Sequence, residues 1–156
     1  FELINEAYDQ LYGYSPLTPK QIQYYIDMYL GIINLELVTL ITDADDRLIG
    51  IGISIQSFSE ALQKSRGRLY PTGWWHLLKA LRGKSVDLLL IAVKPEYQNK
   101  GVNALLFADL IPYYNKNGFE HAETNPELAD NTKVQNQWEH FDYRQHRRRC
   151  TWRKSI

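Results

Sequence analysis

Between Val86 and Asn103 the chain reads VDLLLIAVKPEYQNKGVN, and this stretch restricts the fold more than any other. Its apolar run, Leu88 to Val93, is too short to cross a membrane and is stopped by Pro95. It reads as a strand buried on both faces. A turn follows, then Gln98-Asn99-Lys100-Gly101, then a helical pattern opening Val102-Asn103-Ala104-Leu105-Leu106. A strand that passes through a glycine-bearing turn into a helix start makes an anion site. Several amide N–H groups lack helical acceptors there, and the helix dipole favours a phosphate.

The segments before this stretch alternate between helical and strand periods. Phe1 to Tyr12 carries adjacent apolar stripes of a helix. Thr18-Pro19-Lys20-Gln21 starts a second one, with threonine as N-cap, proline at the first helical position and glutamine closing a capping box; it runs to about Leu30, where Gly31 ends it. Six tyrosines in this region read as half-buried packing residues, with an aromatic ligand site as the alternative. Leu35 to Thr42 and Arg47 to Ile55 form a β-hairpin around Asp43-Ala44-Asp45-Asp46, a solvated turn rather than a metal site. In its second arm Ile49, Ile51, Ile53 and Ile55 alternate with Gly50, Gly52 and Ser54. The glycine face admits either a ligand or a closely packed helix.

Residues 56–85 are a helical insert between strands. Ser57-Phe58-Ser59-Glu60 reads as a capping box for a helix ending near Gly67, and Thr72 as the cap of another from Gly73 to Leu81. Trp74 and Trp75 are adjacent and cannot share one helix face, so at least one points away from the local core. With His76 they either pack the insert on the sheet or wall an acceptor pocket. Past the central strand, Pro112 is expected to kink or shorten its helix, and Asn117-Gly118 to end it. Phe119 to Thr124 is a strand with His121 and Glu123 on one face. Asp130-Asn131 caps a last helix to Phe141, and Arg147 to Ile156 alternates enough to close a sheet. Its arginines solvate one face of that strand or touch phosphate.

The 156 residues suit one domain with a real core. A net charge of +0 supplies no global field for nucleic acid or an anionic membrane, so neither is expected as a partner. One cysteine, Cys150, leaves no internal disulfide and no Cys-rich zinc site, which fits a reducing, cytoplasmic compartment. No metal-ligand pattern stands out. Because Phe1 falls inside a helical pattern, the chain reads as the C-terminal part of a longer protein whose upstream part is missing.

The central stretch resembles the signature of the GNAT acyltransferases, Gln/Arg-x-x-Gly-x-Gly/Ala after a strand. Gln98, Gly101 and Asn103 fill the marked positions, the last as a departure. The order helix, helix, hairpin, strand, helix, strand, helix, strand is similar to that family throughout, lacking its first strand. The family's second pattern, Asn-x-x-Ala-x-x-Leu-Tyr-x-x-x-Gly-Phe, is met with kept spacing at Asn131, Val134, Gln137, Trp138, Asp142 and Tyr143.

The resemblance implies an α/β (α+β) fold: a mixed, mostly antiparallel twisted sheet flanked by helices. It implies acetyl-CoA or another acyl-CoA as co-substrate and an amine as acceptor. The pantetheine arm would run along Ile91, Ala92 and Val93. The pyrophosphate would rest on the turn of Gln98, Asn99, Lys100, Gly101, Val102 and Asn103, with Asn131 and Trp138 nearby. Glu123 or His121 is implied as base through water. The family's tyrosine acid is replaced by Trp138, whose indole has no accessible ionisation, leaving Tyr143 or Tyr97 as substitutes. The alternative is a GNAT-like module that binds acyl-CoA or packs against another part of the protein with little or no turnover.

Overall fold

The computed structural model describes residues 1–29, 31 and 33–154. It divides into two compact units, Phe1–Glu123 and Thr124–Ile156. In the first, α1 (Glu2–Tyr8) and α2 (Pro19–Tyr29) precede a short 3-10 turn and the strands β1 (Val38–Thr42) and β2 (Leu48–Gln56). The insert supplies α3 (Ser59–Ser65) and α4 (Gly73–Ala80). Then come β3 (Ser85–Val93), α5 (Val102–Lys116) and β4 (His121–Thr124). The sheet order is β1-β2-β3-β4. β1 and β3 both run antiparallel to β2, whereas the helical crossover α5 makes β4 parallel to β3.

Helices cover both faces of this mixed sheet. On one, Leu3 and Ile4 of α1 pack with Ala92, Ile51 and Leu90. On the other, Val102 and Leu106 of α5 pack with Ile49 and Val93. The glycine face of β2 is explained here. A Cβ on Gly50 would come within 2.9 Å of Val102, and one on Gly52 would touch Leu106 and Leu110 at 3.5 Å. Small residues bring α5 against the strand, so of the two readings the closely packed helix holds. The same helix ties into the sheet through Tyr114, whose hydroxyl bonds Ser54 at 2.7 Å, and through Thr39, which donates to Asp109 at 2.5 Å.

Several local expectations need correction. α1 ends at Tyr8 rather than Tyr12, and residues 35–37 form the 3-10 turn, so β1 starts at Val38. The Thr18–Gln21 capping box forms, with Thr18 N–H on Gln21 Oε1 at 2.9 Å and Gln21 N–H on Thr18 Oγ1 at 3.4 Å; the expected end at Leu30 lies outside the described residues. The second box does not close: Ser57 Oγ accepts only a long bond from Ser59 N–H at 3.4 Å and also bonds Asp87, while Glu60 pairs with Lys64, and α3 has no side-chain cap. Pro112 neither breaks nor shortens α5, which runs its 15 residues through it. The carbonyl it leaves without a donor is that of Ala108, an exposed residue whose carbonyl water can reach. The tyrosines divide: Tyr8, Tyr14 and Tyr25 are half-buried, while Tyr12, Tyr24 and Tyr29 are exposed.

In the second unit α6 (Thr132–Asn136) continues as a 3-10 turn from Gln137 to His140, close to the expected last helix. Asn131 stands at the cap position without a capping side-chain bond. The expected closing strand is absent: residues 142–154 have no regular structure and are exposed, and Ile156 lies outside the described residues. Alternation alone does not make a strand. Arg147, Arg148 and Arg149 add mutual repulsion that no packing offsets.

Candidate functional site

The turn after β3 has the geometry of an anion cradle. Pro95–Tyr97 form a single 3-10 turn, after which Gln98 is extended, and Asn99 (φ 60°) and Gly101 (φ 81°) are both left-handed. Backbone of alternating hand is the conformation from which nests that bind anions through successive amides are built. Gly101 is also the N-cap of α5, so the helix's positive end opens at the same place. A Cβ on Gly101 would meet nothing within 4 Å, so the space before the turn is open. Lys100 sits over the Tyr97 ring, 5.3 Å from its centre. Tyr97 is tied back to the hairpin turn, its hydroxyl donating to Asp43 at 3.1 Å. Asp43 in turn accepts from the amides of Asp45 and Arg47, so the acidic turn is a structural anchor for the cradle.

On the side away from β2, side chains meet the second half of β3. β4 starts opposite Lys84, whose carbonyl accepts from Glu120 and His121 N–H, and its four residues reach only the first half of the nine in β3. Lys94 N–H bonds Ile49 of β2, so Ile91 and Val93, an odd number of residues away, turn their backbone groups to the other side. Two carbonyls on that side are occupied: Ile91 accepts from the Tyr8 hydroxyl at 2.7 Å, and Val93 from Gln98 Nε2 at 3.2 Å. Ala92 is buried against α1. Burial, only partly offset by the Ile91 bond, pushes Tyr8 up to about 12.

At the opposite end of β3 stand two carboxylates, Asp87 and Glu123, both half-buried. One Asp87 oxygen is buried with no hydrogen-bond partner among the described residues, while Ser57 bonds the side chain. Burial first, and then the neighbouring Glu123 charge, raise the Asp87 carboxyl above its ordinary range. Six strand positions separate Asp87 from Val93, ~20 Å at the usual rise per residue. His121, by contrast, is exposed. Trp74 and Trp75 are exposed too, their rings edge to face at 5.9 Å, whereas His76 is half-buried.

The remaining expected residues belong to the second unit. Trp138 donates to Glu127 at 2.8 Å and its ring lies 6.1 Å from Phe141. Tyr143 is exposed on an irregular segment. Asp87 and Tyr8 were missed in the sequence. A signal existed for the first: a lone acid within the apolar strand VDLLLIAV.

Solved structures share this architecture. The chain superposes over 99% of its length on 91% of AAC(6')-Iy, determined with the bisubstrate analogue CoA-S-monomethyl-acetylneamine, at a TM-score of 0.55 and 16% identity. A Trypanosoma brucei acetyltransferase matches over 98% of this chain and 92% of its own, with TM-score 0.54 and 15% identity. The fold is that of the GNAT acyltransferases. β3 and β4 are neighbouring strands, and the Gly101 turn opens the helix between them. No protein-family model matches the sequence. A bacterial ceramide synthase from Caulobacter vibrioides is 27% identical over 100 residues, covering 62% of this chain and 26% of that protein. The chain thus spans about a quarter of the length of the curated relative it matches.

Proposed function

We propose that this GNAT fold binds an acyl-CoA along β3 and at the start of α5, and transfers the acyl group to an amine. The observation that carries this reading is the pair of left-handed residues, Asn99 and Gly101, set at the open N-terminus of α5 directly after β3. The pyrophosphate is held by turn amides, with Lys100 adding a cation. The pantetheine arm takes the Ile91–Val93 edge in place of the Tyr8 and Gln98 contacts. Asn103, where the signature has Gly or Ala, is half-buried on the first turn of α5, and its amide is small enough to share that space.

The thioester then points toward the Asp87 end of β3. There a carboxylate takes one proton from the acceptor ammonium, directly or through water. The neutral nitrogen attacks the thioester carbonyl, and a strand amide stabilises the oxyanion. Collapse breaks the C–S bond, the second nitrogen proton is lost, and the thiolate is protonated to free CoA. Asp87 and Glu123 are the base candidates; burial, and then the neighbouring Glu123 charge, raise the Asp87 carboxyl above its ordinary range, which suits it to take a proton.

The ceramide synthase relative supports a fatty acyl donor and a long-chain amine as the first substrates to test. The second reading, binding without turnover, draws on Trp138 standing where the resemblance places a tyrosine acid. Calorimetric titration with CoA, acetyl-CoA and a long-chain acyl-CoA, followed by thiol release over an amine panel, separates the two. Absence of CoA binding would remove both.

A further inference from the structure

The α3–α4 insert carries an outward apolar face that the acyl-transfer reading does not use. α4 shelters Gly73, His76, Leu77 and Ala80, and turns Trp74, Trp75 and Leu78 outward. Trp75 is 59% exposed, Leu78 53%, and Leu81, one turn further on, 58%. Leu69 and Tyr70 of the connecting loop are more exposed still. The normal amphipathic order of a surface helix is therefore inverted on this face.

The face is held rigidly. Gly73 lies so close to the loop that a Cβ there would sit 1.8 Å from the Arg68 carbonyl. Trp74 N–H bonds Leu69, and the Trp74 indole donates to Pro71 at 2.8 Å. Exposure is thus built into the hairpin.

Charge identifies the occupant. The insert contains six of the chain's 18 basic residues and one of its 18 acids, so the overall balance of +0 hides a local cationic patch. Lys64 pairs with Glu60 and Lys84 with Glu120. Arg66, Arg68 and Arg82 are exposed and make no ion pair among the described residues, and exposed Lys79 forms no close pair but feels the charge of Glu60. A second copy docking through this face would set those cations against their own equivalents. Tryptophan, tyrosine and leucine rimmed by lysine and arginine match the boundary between acyl chains and anionic headgroups.

We infer that the α3–α4 hairpin docks on anionic phospholipid bilayers, seating Trp75, Leu78 and Leu81 at the headgroup–acyl boundary with Lys79 and Arg82 on headgroup charge. The insert leaves the sheet at Ser57 and returns at Ser85, beside Asp87, so docking brings the carboxylate end of β3 toward the lipid. The proposal stands apart from acyl transfer and holds for a protein without turnover.

Flotation of the full chain with equimolar phosphatidylcholine–phosphatidylglycerol vesicles tests it, against phosphatidylcholine vesicles and no vesicles. Expected are association with the anionic vesicles only and a blue-shifted tryptophan emission. The double variant Lys79→Glu, Arg82→Glu should lower partitioning at least ~10-fold. Leu78→Ser should weaken it with unchanged circular dichroism. No association with anionic vesicles overturns the proposal. So does equal partitioning of the charge-reversed variant, or a concentration-dependent dimer, abolished by Leu78→Ser, in a protein that ignores vesicles.

Discussion

The hydroxyl of Tyr8, on α1, donates a 2.7 Å hydrogen bond to the carbonyl of Ile91, 83 positions away on β3. This bond caps the strand edge on which the pantetheine arm is proposed to lie. A ligand that uses the Ile91 carbonyl must displace the tyrosine, so part of its binding energy is spent on that exchange.

Tyr8→Phe therefore separates stability from affinity. It leaves the Ile91 carbonyl without its donor, and the free protein should lose about 1 kcal/mol, read from chemical denaturation. CoA affinity should rise by up to ~5-fold, since the competing donor is gone. Weaker CoA binding by a folded Tyr8→Phe protein would place the pantetheine elsewhere. Alkali probes the same contact. The Tyr8 value in the folded state, about 12, lies above the ordinary tyrosine value, so stability tied to it is complete below pH ~10 and is lost as pH climbs toward 12.

Gly101→Val tests the cradle. In the unliganded protein the new side chain meets open space, but at φ 81° a branched residue is strained, costing about 1–2 kcal/mol. CoA binding should weaken ~10-fold or more as the branched Cβ meets the pyrophosphate. Gly101→Asn, which tolerates the left-handed region, isolates the steric part. Unchanged affinity in both folded variants would remove CoA from this turn.

Asp87→Asn should lower turnover ~100-fold or more while making the protein slightly more stable. The raised carboxyl favours its neutral form in the fold, so stability linked to Asp87 is present at low pH and declines as pH rises past the ordinary carboxylate range. Glu123→Gln distinguishes the two carboxylates by the pH–rate profile. An Asp87→Asn protein with full activity and an unaltered profile would exclude Asp87 as base.

Asp43 behaves in the opposite sense. The Arg47 amide, the largest influence, helps hold its carboxyl at about 2. The stability it lends the hairpin turn is present above the ordinary carboxylate value and disappears as pH falls toward 2. Titration of the Asp43 side chain followed by NMR should give that low midpoint; an ordinary carboxylate midpoint would mean the turn network does not form in solution.

Gly73→Ala should unfold the insert locally while sparing the sheet, because a methyl group cannot share space with the Arg68 carbonyl. Faster amide exchange confined to residues 57–84 is the expected signature. Protection equal to the parent protein would show that the hairpin packs more loosely than this geometry.

What the sequence determined by itself was what short-range rules decide. The apolar run ending at Pro95, the glycine before Val102, the Thr18–Gln21 box and the Asn117-Gly118 stop each act within a few residues, and each is realised. Element order then carried the fold. Tertiary structure decided where one group has competing partners far apart in the chain. Ser57 keeps a long local bond from Ser59 N–H and adds Asp87 on the neighbouring strand, a partner 30 positions away. Gly50 and Gly52 were open to a ligand or a helix until Val102 and Leu106 closed on them. The Arg147–Arg149 segment alternated like a strand, but a strand exists only with a partner's hydrogen bonds, and none came. Tyr8 and Ile91 meet because two stripes on α1 bury against β3, an approach that no local pattern in either segment encodes.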